Sequence, residues 1–156
     1  MNAIELLKED HQEALRLMTE LETADEEAGT DPTYTETFNQ LNQALKMHTR
    51  IEEEVFYPAM EEFNEMRELV RESYREHDQV DQLLMQLSTM APNEEEFQET
   101  LAELRDAVEH HIEEEEGEMF PKAEELCNQS RLQELGRKME EIRNDSRRVA
   151  ATMRRK

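Results

Sequence analysis

Apolar residues recur at steps of three and four along most of this 156-residue chain, which is the spacing of one face of an α-helix. Five stretches carry the pattern, so the sequence predicts five amphipathic helices. They are predicted at about 3–24, from Asp31-Pro32 to a bend or end at Pro58, at about 65–90, from Pro92-Asn93 to a bend or end at Pro121, and from Ser130 onward.

Four of these helices begin at a residue that can cap a helix. In three of them an Asn or Ser precedes the apolar pattern and a Glu or Gln follows three positions later, as in a capping box. The three pairs are Asn2 with Glu5, Asn93 with Glu96, and Ser130 with Gln133. The second helix starts at Asp31-Pro32, a cap residue followed by proline at the first helical position. The stretch 25–31 before it is predicted to be a loop.

One motif occurs twice, a histidine and a glutamate four residues apart with an aromatic-Pro step behind them. The copies are His48-x-x-x-Glu52 before Tyr57-Pro58, and His111-x-x-x-Glu115 before Phe120-Pro121. A further histidine precedes each copy, His11 by 37 residues and His77 by 34. Two copies of a helical hairpin predict an all-α protein, an up-down-up-down four-helix bundle with a C-terminal fifth helix.

The predicted domain division follows this repeat. Residues 1–128 form the predicted bundle, and residues 129–156 form a basic amphipathic helix packed on or beside it. Three glycines and four prolines argue against a sheet protein, and 156 residues suffice for one core. The apolar stripe of the last helix is interpreted as covering the bundle, while an oligomer formed through it stays open.

The chain is strongly acidic, with a formal net charge of −22 at pH 7. Residues 131–156 hold nine Lys and Arg against four Asp and Glu, so the remainder is more acidic still. Such a body repels phosphate, and nucleic-acid binding is not expected. No apolar run approaches the roughly 18 residues of a membrane span, and the N-terminus does not resemble a signal peptide. Because the lone Cys127 excludes an internal disulfide, the sequence predicts a cytoplasmic protein.

The histidines and glutamates of the repeat fall on the apolar faces of their helices, where the pattern otherwise places Leu, Val or Phe. A buried ionised carboxylate without a partner is costly, and two buried together repel each other. A pair of bound cations relieves both costs. Imidazole and carboxylate donors without thiolate suit iron, zinc or manganese. The neighbouring acidic residues Glu53, Glu54, Glu113, Glu114 and Glu116 lie off this face and are predicted to face solvent.

This set of residues resembles the hemerythrin-like family of HHE cation-binding proteins, and the resemblance covers nearly the whole chain. It implies a non-haem di-iron centre with an oxo or hydroxo bridge inside the bundle, although zinc or manganese stays open. It also implies that two glutamates bridge the irons and that four histidines are terminal ligands. The implied metal ligands are His11, His48, Glu52, His77, His111 and Glu115.

One departure separates the chain from the oxygen-carrying members of that family, which supply five histidines, two of them from the third helix. The third helix here has His77 alone, with Ser73 and Asp81 four residues to either side. One position then stays open on each iron unless another donor fills it. The remaining histidine, His110, lies about 100° from His111 on its helix and is interpreted as lying outside the ligand set. The candidates for the open positions are Asp81, Asp78, Glu76 and water. Tyr57 and Tyr74 are candidate neighbours of the ligands, with packing in the core as the alternative.

The resemblance implies a protein that binds O2 as a carrier, a store or a sensor. The open positions favour a second class, a di-iron enzyme or stress protein that acts on peroxide or nitric oxide. That class includes iron–sulfur cluster repair and iron handling. A third class, an interaction module, would hold its metal only for structure. The sequence leaves open which of these applies, and whether the protein is an enzyme.

Overall fold

A computed structural model describes residues 1–23 and 32–154, and over these two ranges the chain is helical and has no strand. The α-helices are α1 (Ala3–Glu22), α2 (Pro32–Ile51), α3 (Tyr57–Met60), α4 (Arg67–Ser88), α5 (Glu95–Glu114), α6 (Phe120–Leu126) and α7 (Gln129–Arg154). The all-α prediction is confirmed. The predicted loop at 25–31, including the Asp31 cap, lies outside the described residues. No helix within these two ranges combines the length and apolar character that crossing a membrane requires.

The four long helices α1, α2, α4 and α5 form a bundle of two hairpins. α1 packs along α2, α4 packs along α5, and the hairpins meet where α1 contacts α5 and α2 contacts α4. The inward faces bury one apolar cluster towards each end of the bundle. Leu21, Leu41, Leu84 and Leu101 belong to one cluster, and Leu7, Phe56, Met60 and Val70 belong to the other. The stretch between the clusters is where the four helices place their histidines.

A short π-helical segment follows both α2 and α5. The two segments are Glu52–Phe56 and Glu115–Met119. In each, the backbone N–H of the next residue, Tyr57 or Phe120, donates to the carbonyl five residues earlier. Pro58 and Pro121 follow, and a proline has no N–H to donate to the helix. Neither proline ends the helical course, because α3 and α6 continue directly from the wider turns.

The predicted cap of the first helix is confirmed, and the predicted cap of the fourth is wrong. The Asn2 side chain accepts a hydrogen bond from the backbone N–H of Glu5 at 2.9 Å. By contrast, α5 begins at Glu95, and the residue at its N-cap position makes no side-chain capping bond. Asn93 therefore lies too far before the first turn to reach its free N–H groups.

The cap predicted for the last helix is also displaced. α7 begins at Gln129, so Ser130 lies inside its first turn. The side chain of Asn128 accepts a hydrogen bond from the backbone N–H of Arg131 at 2.8 Å. Asn128 therefore caps the helix in place of Ser130. Both residue types are favoured at the N-cap position, because their side chains accept a hydrogen bond from the first turn.

The first half of α7 packs across one end of the bundle. Its side chains Leu132, Leu135 and Met139 are buried in the apolar cluster that also contains the start of α1. Gly136 makes this packing possible, because a Cβ atom there would lie 2.6 Å from the carbonyl oxygen of Met1. The close approach of α7 to the N-terminus of α1 therefore depends on the missing side chain.

The second half of α7 leaves the bundle. Arg143 donates to Asp10 of α1 at 2.6 Å, and beyond this ion pair Val149 and Met153 are exposed. The apolar stripe thus covers the bundle only over its first half. An oligomer formed through the exposed end stays a prediction, as does a domain boundary after residue 128.

Candidate metal centre

The six residues of the repeated motif converge between the two apolar clusters. Each of the four long helices contributes one histidine, and Glu52 and Glu115 are the first residues of the two π-helical segments. All six side chains are buried, and neither glutamate has any exposed surface. The histidines are His11 of α1, His48 of α2, His77 of α4 and His111 of α5.

The four imidazole rings form two pairs, one from each hairpin. The ring centroids are 4.9 Å apart in the pair His11–His48 and 4.9 Å apart in the pair His77–His111. His111 lies 6.5 Å from each ring of the other pair. The site therefore presents two neighbouring sets of nitrogen donors.

The Nε2 atoms of the four rings surround the two buried carboxylates. The Nε2–Oε1 distances are 3.0 Å for His48–Glu52, 3.0 Å for His77–Glu52, 2.9 Å for His11–Glu115 and 3.1 Å for His111–Glu115. Each glutamate thus contacts one imidazole from each pair. A carboxylate in that position can bind two cations at once.

The outer nitrogen of every ring meets a second carboxylate. The Nδ1–oxygen distances are 2.7 Å for His11–Glu116, 3.1 Å for His48–Asp10, 2.8 Å for His77–Glu53 and 2.7 Å for His111–Glu76. Donation from Nδ1–H to a carboxylate fixes the ring orientation and leaves Nε2 to bind a metal, the usual arrangement around ligating histidines.

The sequence interpretation missed three of these outer carboxylates, Asp10, Glu53 and Glu116, and considered Glu76 only as an additional metal donor. Glu53 and Glu116 were expected to face solvent, but each receives a hydrogen bond from a histidine of the other hairpin. Asp10 and Glu76 directly precede His11 and His77, and each accepts from the second histidine of its own hairpin. The signal was present in the repeat, because each outer carboxylate occupies the equivalent position in both copies.

The two halves of the site differ at the position nine residues after each motif histidine. Tyr57 occupies it in the first copy, and its hydroxyl donates to Glu115 at 2.7 Å and lies 3.2 Å from His77 Nε2. Phe120 occupies it in the second copy and stacks on His11, with centroids 5.9 Å apart and an angle of 7° between the rings. One imidazole pair therefore has a phenol beside it and the other has only a hydrocarbon ring.

The other proposed extra donors do not reach the inner cluster. Asp78 and Asp81 are exposed, and Glu76 contacts the outer nitrogen of His111. His110 is 62% exposed, as expected for a residue outside the ligand set. Tyr57 thus supplies the additional oxygen next to the buried glutamates.

The electrostatics of the cluster favour charged groups despite burial. Burial and the Glu115 carboxylate both oppose ionisation of Glu52, yet the nearby imidazoles lower its pKa to about 2. The pKa of Glu115 is likewise well below its ordinary value, since His111 and its hydrogen bonds outweigh desolvation. In return, the carboxylates raise the pKa values of His48 and His111 well above 6.5 against the effect of burial. The pKa of His77 is raised as well, chiefly by Glu52. Five of the six groups thus form a mutually stabilising set of opposite charges.

Several atoms at the centre that can bind a metal make no hydrogen bond. His48 Nε2, His111 Nε2 and Glu52 Oε2 are buried without a hydrogen-bond partner. One ligand atom from each of His48, Glu52, His111 and Glu115 lies within 4.8 Å of the others. Unpaired buried donors are costly, and a metal ion satisfies this set. The donor chemistry of the cluster therefore fits metal binding.

A cavity of about 20 Å³ adjoins the imidazole pairs, which is room for a water or a diatomic molecule. The four imidazoles and Asp10 form part of its wall. The remaining wall residues come from equivalent positions of the two hairpins, namely Ala14 and Val80, Leu45 and Val108, and Thr49 and Ile112. Thr49 also lines an outer groove of about 440 Å³ between α2 and α4. Thr49 therefore lies between the cavity and the protein surface.

Comparison with known proteins agrees with this geometry. The family model of the hemerythrin HHE cation binding domain matches residues 2–123. A crystal structure of a hemerythrin HHE cation binding domain-containing protein from Mycobacterium kansasii superposes with a TM-score of 0.82 and is 28% identical. That match covers 99% of this chain and 93% of the other. A protein described as a DNA nickase from Nostoc sp. is 31% identical over 121 residues, which are 77% of this chain but 33% of the relative.

Proposed function

Because the chain belongs to the hemerythrin HHE cation binding family, we propose that it holds two iron ions in the buried cluster and binds O2 beside them. One observation carries this proposal. Four imidazoles and two fully buried carboxylates face one another next to a cavity of diatomic size. Iron, when bound, supplies the redox-active centre at which such a molecule reacts.

The contacts support a specific division of the ligands. His11 and His48 form one close pair and His77 and His111 the other, so each pair would hold one ion. Glu52 and Glu115 each contact both pairs and would be shared between the two ions. The outer carboxylates hold the four rings in place and increase the basicity of their inner nitrogens.

The cavity supports a small and uncharged ligand. Its wall beyond the imidazoles is mainly aliphatic, with Thr49 and Asp10 as the polar exceptions. Such a wall excludes bulk water from the imidazole side of the cluster. Among the functions of a di-iron protein, binding O2 as a carrier, store or sensor needs no more than this.

The main alternative is an enzyme or stress protein that acts on peroxide or nitric oxide, with iron–sulfur cluster repair and iron handling in the same class. The Tyr57 hydroxyl favours it. This O–H group donates to Glu115, and its oxygen lies 3.2 Å from His77 Nε2. It can therefore deliver a proton at the site. The nickase activity named for the Nostoc relative is not extended to this chain, because its net charge of −22 repels a phosphate backbone.

Anaerobic loading tests the proposal. The metal-free protein is titrated with Fe(II), and two ions per chain are expected. O2 is then added and removed while the visible spectrum is followed. A band that appears with O2 and disappears with its removal supports a carrier or sensor, whereas a band that persists while O2 is consumed favours the enzyme class.

Two variants make the outcome specific. Replacing both Glu52 and Glu115 by Ala should abolish the binding of two ions, and retention of both would refute the ligand assignment. Tyr57→Phe should leave reversible O2 binding in place. If the variant instead abolishes turnover of peroxide by the iron-loaded protein, the enzyme class is favoured. In either case we place the protein in a reducing compartment such as the cytoplasm, where Fe(II) is retained.

A further inference from the structure

The outer carboxylate on His111 has a second oxygen that the dinuclear centre does not use. Glu76 is 6% exposed, and its Oε1 accepts from His111 Nδ1 at 2.7 Å. Its Oε2 is buried and has no hydrogen-bond partner. That oxygen faces His110, whose Nε2 is 3.5 Å away and also lies 3.1 Å from Oε1 of Glu114. A buried carboxylate oxygen thus points at a surface histidine and a second carboxylate.

The equivalent residue of the first hairpin shows how such an oxygen is satisfied. Asp10 contacts His48 Nδ1 through one oxygen, and Arg143 of α7 donates to the other at 2.6 Å. Across the described ranges 1–23 and 32–154, no Lys or Arg side chain forms an ion pair with Glu76. The two hairpins therefore differ in the partner of this outer oxygen.

The residues around Glu76 also differ from their counterparts in chemical type. His110 and Glu114 occupy the positions that Met47 and Ile51 hold in the first hairpin. An apolar pair has been replaced by an imidazole and a carboxylate, both of which bind metals. The change coincides with the absence of an arginine partner for Glu76 among the described residues.

We propose that Glu76, His110 and Glu114 form a third cation site, separate from the dinuclear centre, for a first-row divalent ion such as Zn²⁺ or Mn²⁺. One ligand atom from each of the three lies within 4.8 Å of the other two. One nitrogen and two carboxylate oxygens suit such ions. The ion takes the place that the Arg143 guanidinium has beside Asp10.

The surroundings of the three ligands predict an exchangeable ion. His110 is 62% exposed and Glu114 is 31% exposed, so the site opens to solvent. Three protein ligands leave further coordination positions for water. We therefore expect weaker binding than in the buried cluster, where six side chains converge. The site does not require that the inner centre hold iron.

Paramagnetic broadening locates the ion. The metal-free protein first receives two equivalents of Zn²⁺ to fill the inner cluster, and Mn²⁺ is then added in small amounts at physiological ionic strength, where exposed charges are screened. Amide signals around Glu76, His110 and Glu114 should broaden first. Signals around Met47 and Ile51, the equivalent positions of the other hairpin, should not. Uniform broadening over the acidic surface would mean an adventitious ion only.

Variants test the ligands by Zn²⁺ stoichiometry, measured in competition with a chromophoric chelator. The wild-type protein should bind two ions tightly and a third more weakly. His110→Ala and Glu114→Gln should weaken only the third, at least about tenfold, because even outer partners of metal ligands change affinity by that much. Glu113→Gln, an exposed neighbour with the same charge change, is the matched control. Far-UV circular dichroism checks that each variant folds.

Two results would overturn the third site. The first is a wild-type protein that binds two ions and no more. In that case a proton on Glu114 joins the two carboxylates in place of an ion. The neighbouring Glu76 carboxylate raises the pKa of Glu114 to about 7, which agrees with such a proton. The second is an equal third affinity in Glu114→Gln and Glu113→Gln. Absence of the two tight ions would instead contradict the dinuclear centre, while localised Mn²⁺ broadening would still support the third site.

Discussion

At the residue scale, the two hairpins contribute equivalent residues to the site, except that the Tyr57 hydroxyl has no equivalent. Each hairpin supplies two histidines, a central glutamate and two outer carboxylates in equivalent positions. Tyr57 has no hydroxyl counterpart, because Phe120 stands at the matching position. This hydroxyl gives the two imidazole pairs different surroundings, so the two ions of the proposed dinuclear centre are not expected to behave alike.

Removing this hydroxyl should destabilise the metal-free protein. Tyr57→Phe leaves the buried Oε2 of Glu115 without the hydrogen bond that Tyr57 donates. The free energy of unfolding should fall by about 1.5–3 kcal/mol, the range for a hydrogen bond to a charged group. Tyr74→Phe is the control, since Tyr74 is only partly buried, and its change should stay within about 0.5 kcal/mol. Equal losses in urea unfolding would show that the Tyr57 hydroxyl contributes nothing specific.

The outer carboxylates should matter for metal affinity more than for folding. Glu53→Gln and Glu116→Gln keep the side-chain shape but remove the negative charge of the carboxylates that accept hydrogen bonds from His77 and His11. The dissociation constant for Zn²⁺ should rise roughly 10-fold to 100-fold in each. Glu118→Gln, an exposed residue two positions from Glu116, should leave it unchanged. Chelator competition measures all three, and an unaltered constant in the first two would contradict the role given to Nδ1 donation.

The sequence predicted the inner residues and not the outer ones for a physical reason. His48 and Glu52 fall on the apolar stripe, so burial follows from the helical period alone. Glu53 and Glu116 lie about 100° off that stripe, and only the position of the neighbouring hairpin brings a histidine to them. Contacts between hairpins depend on how the helices cross, which a single-helix pattern does not contain.

At the scale of elements, the π-helical segments give the aromatic residues their place. In a regular α-helix, five residues turn the chain about 500°, which would put Tyr57 about 140° from Glu52. A turn closed by a bond five residues back brings these two positions towards the same face. The prolines predicted a disturbance at both places, but whether a helix bends, ends or widens is decided by packing around it.

The two helical glycines within the described ranges make a matched pair for testing the packing of α7. Gly136→Ala places a Cβ atom 2.6 Å from the Met1 carbonyl oxygen and 2.9 Å from the Ala3 nitrogen, both backbone atoms. It should destabilise the protein by about 1–3 kcal/mol, because the helices must separate. Gly117→Ala meets no atom within 4 Å and should stabilise it by about 0.5–1 kcal/mol. Thermal unfolding distinguishes them, and a neutral Gly136→Ala would mean that α7 is not held against α1.

At the scale of the whole molecule, the fold followed from the repeat. Two hairpins with the same face pattern can bury those faces only against each other, so the bundle was predictable before any contact was known. The course of α7 was less predictable. Its apolar stripe continues to Met153, yet only the part before Arg143 meets the bundle. The apolar pattern predicts which face of the helix is apolar, but it does not predict how much of that face is buried against another element.

Because the cluster takes up protons, we expect the stability of the metal-free protein and the stabilisation by bound metal to change with pH in opposite directions. The raised pKa values of His48, His77 and His111 contribute stability that is complete below about pH 6.5 and is lost as pH rises through those values. The lowered pKa values of Glu52 and Glu115 contribute stability above about pH 4.5, which is lost only as pH falls through their folded-state values. The metal-free protein should therefore lose stability as pH rises above about 6.5.

Metal binding reverses this trend, because it requires neutral imidazoles and releases their protons. The stabilisation by Zn²⁺ should accordingly grow as pH rises over the same range, since tighter binding to the folded state raises the melting temperature. Calorimetry of the protein with excess Zn²⁺ and with chelator, at matched ionic strength, gives the difference directly. A difference in melting temperature that stays constant with pH would show that the ion does not displace protons from these histidines, and the cluster would then not be its binding site.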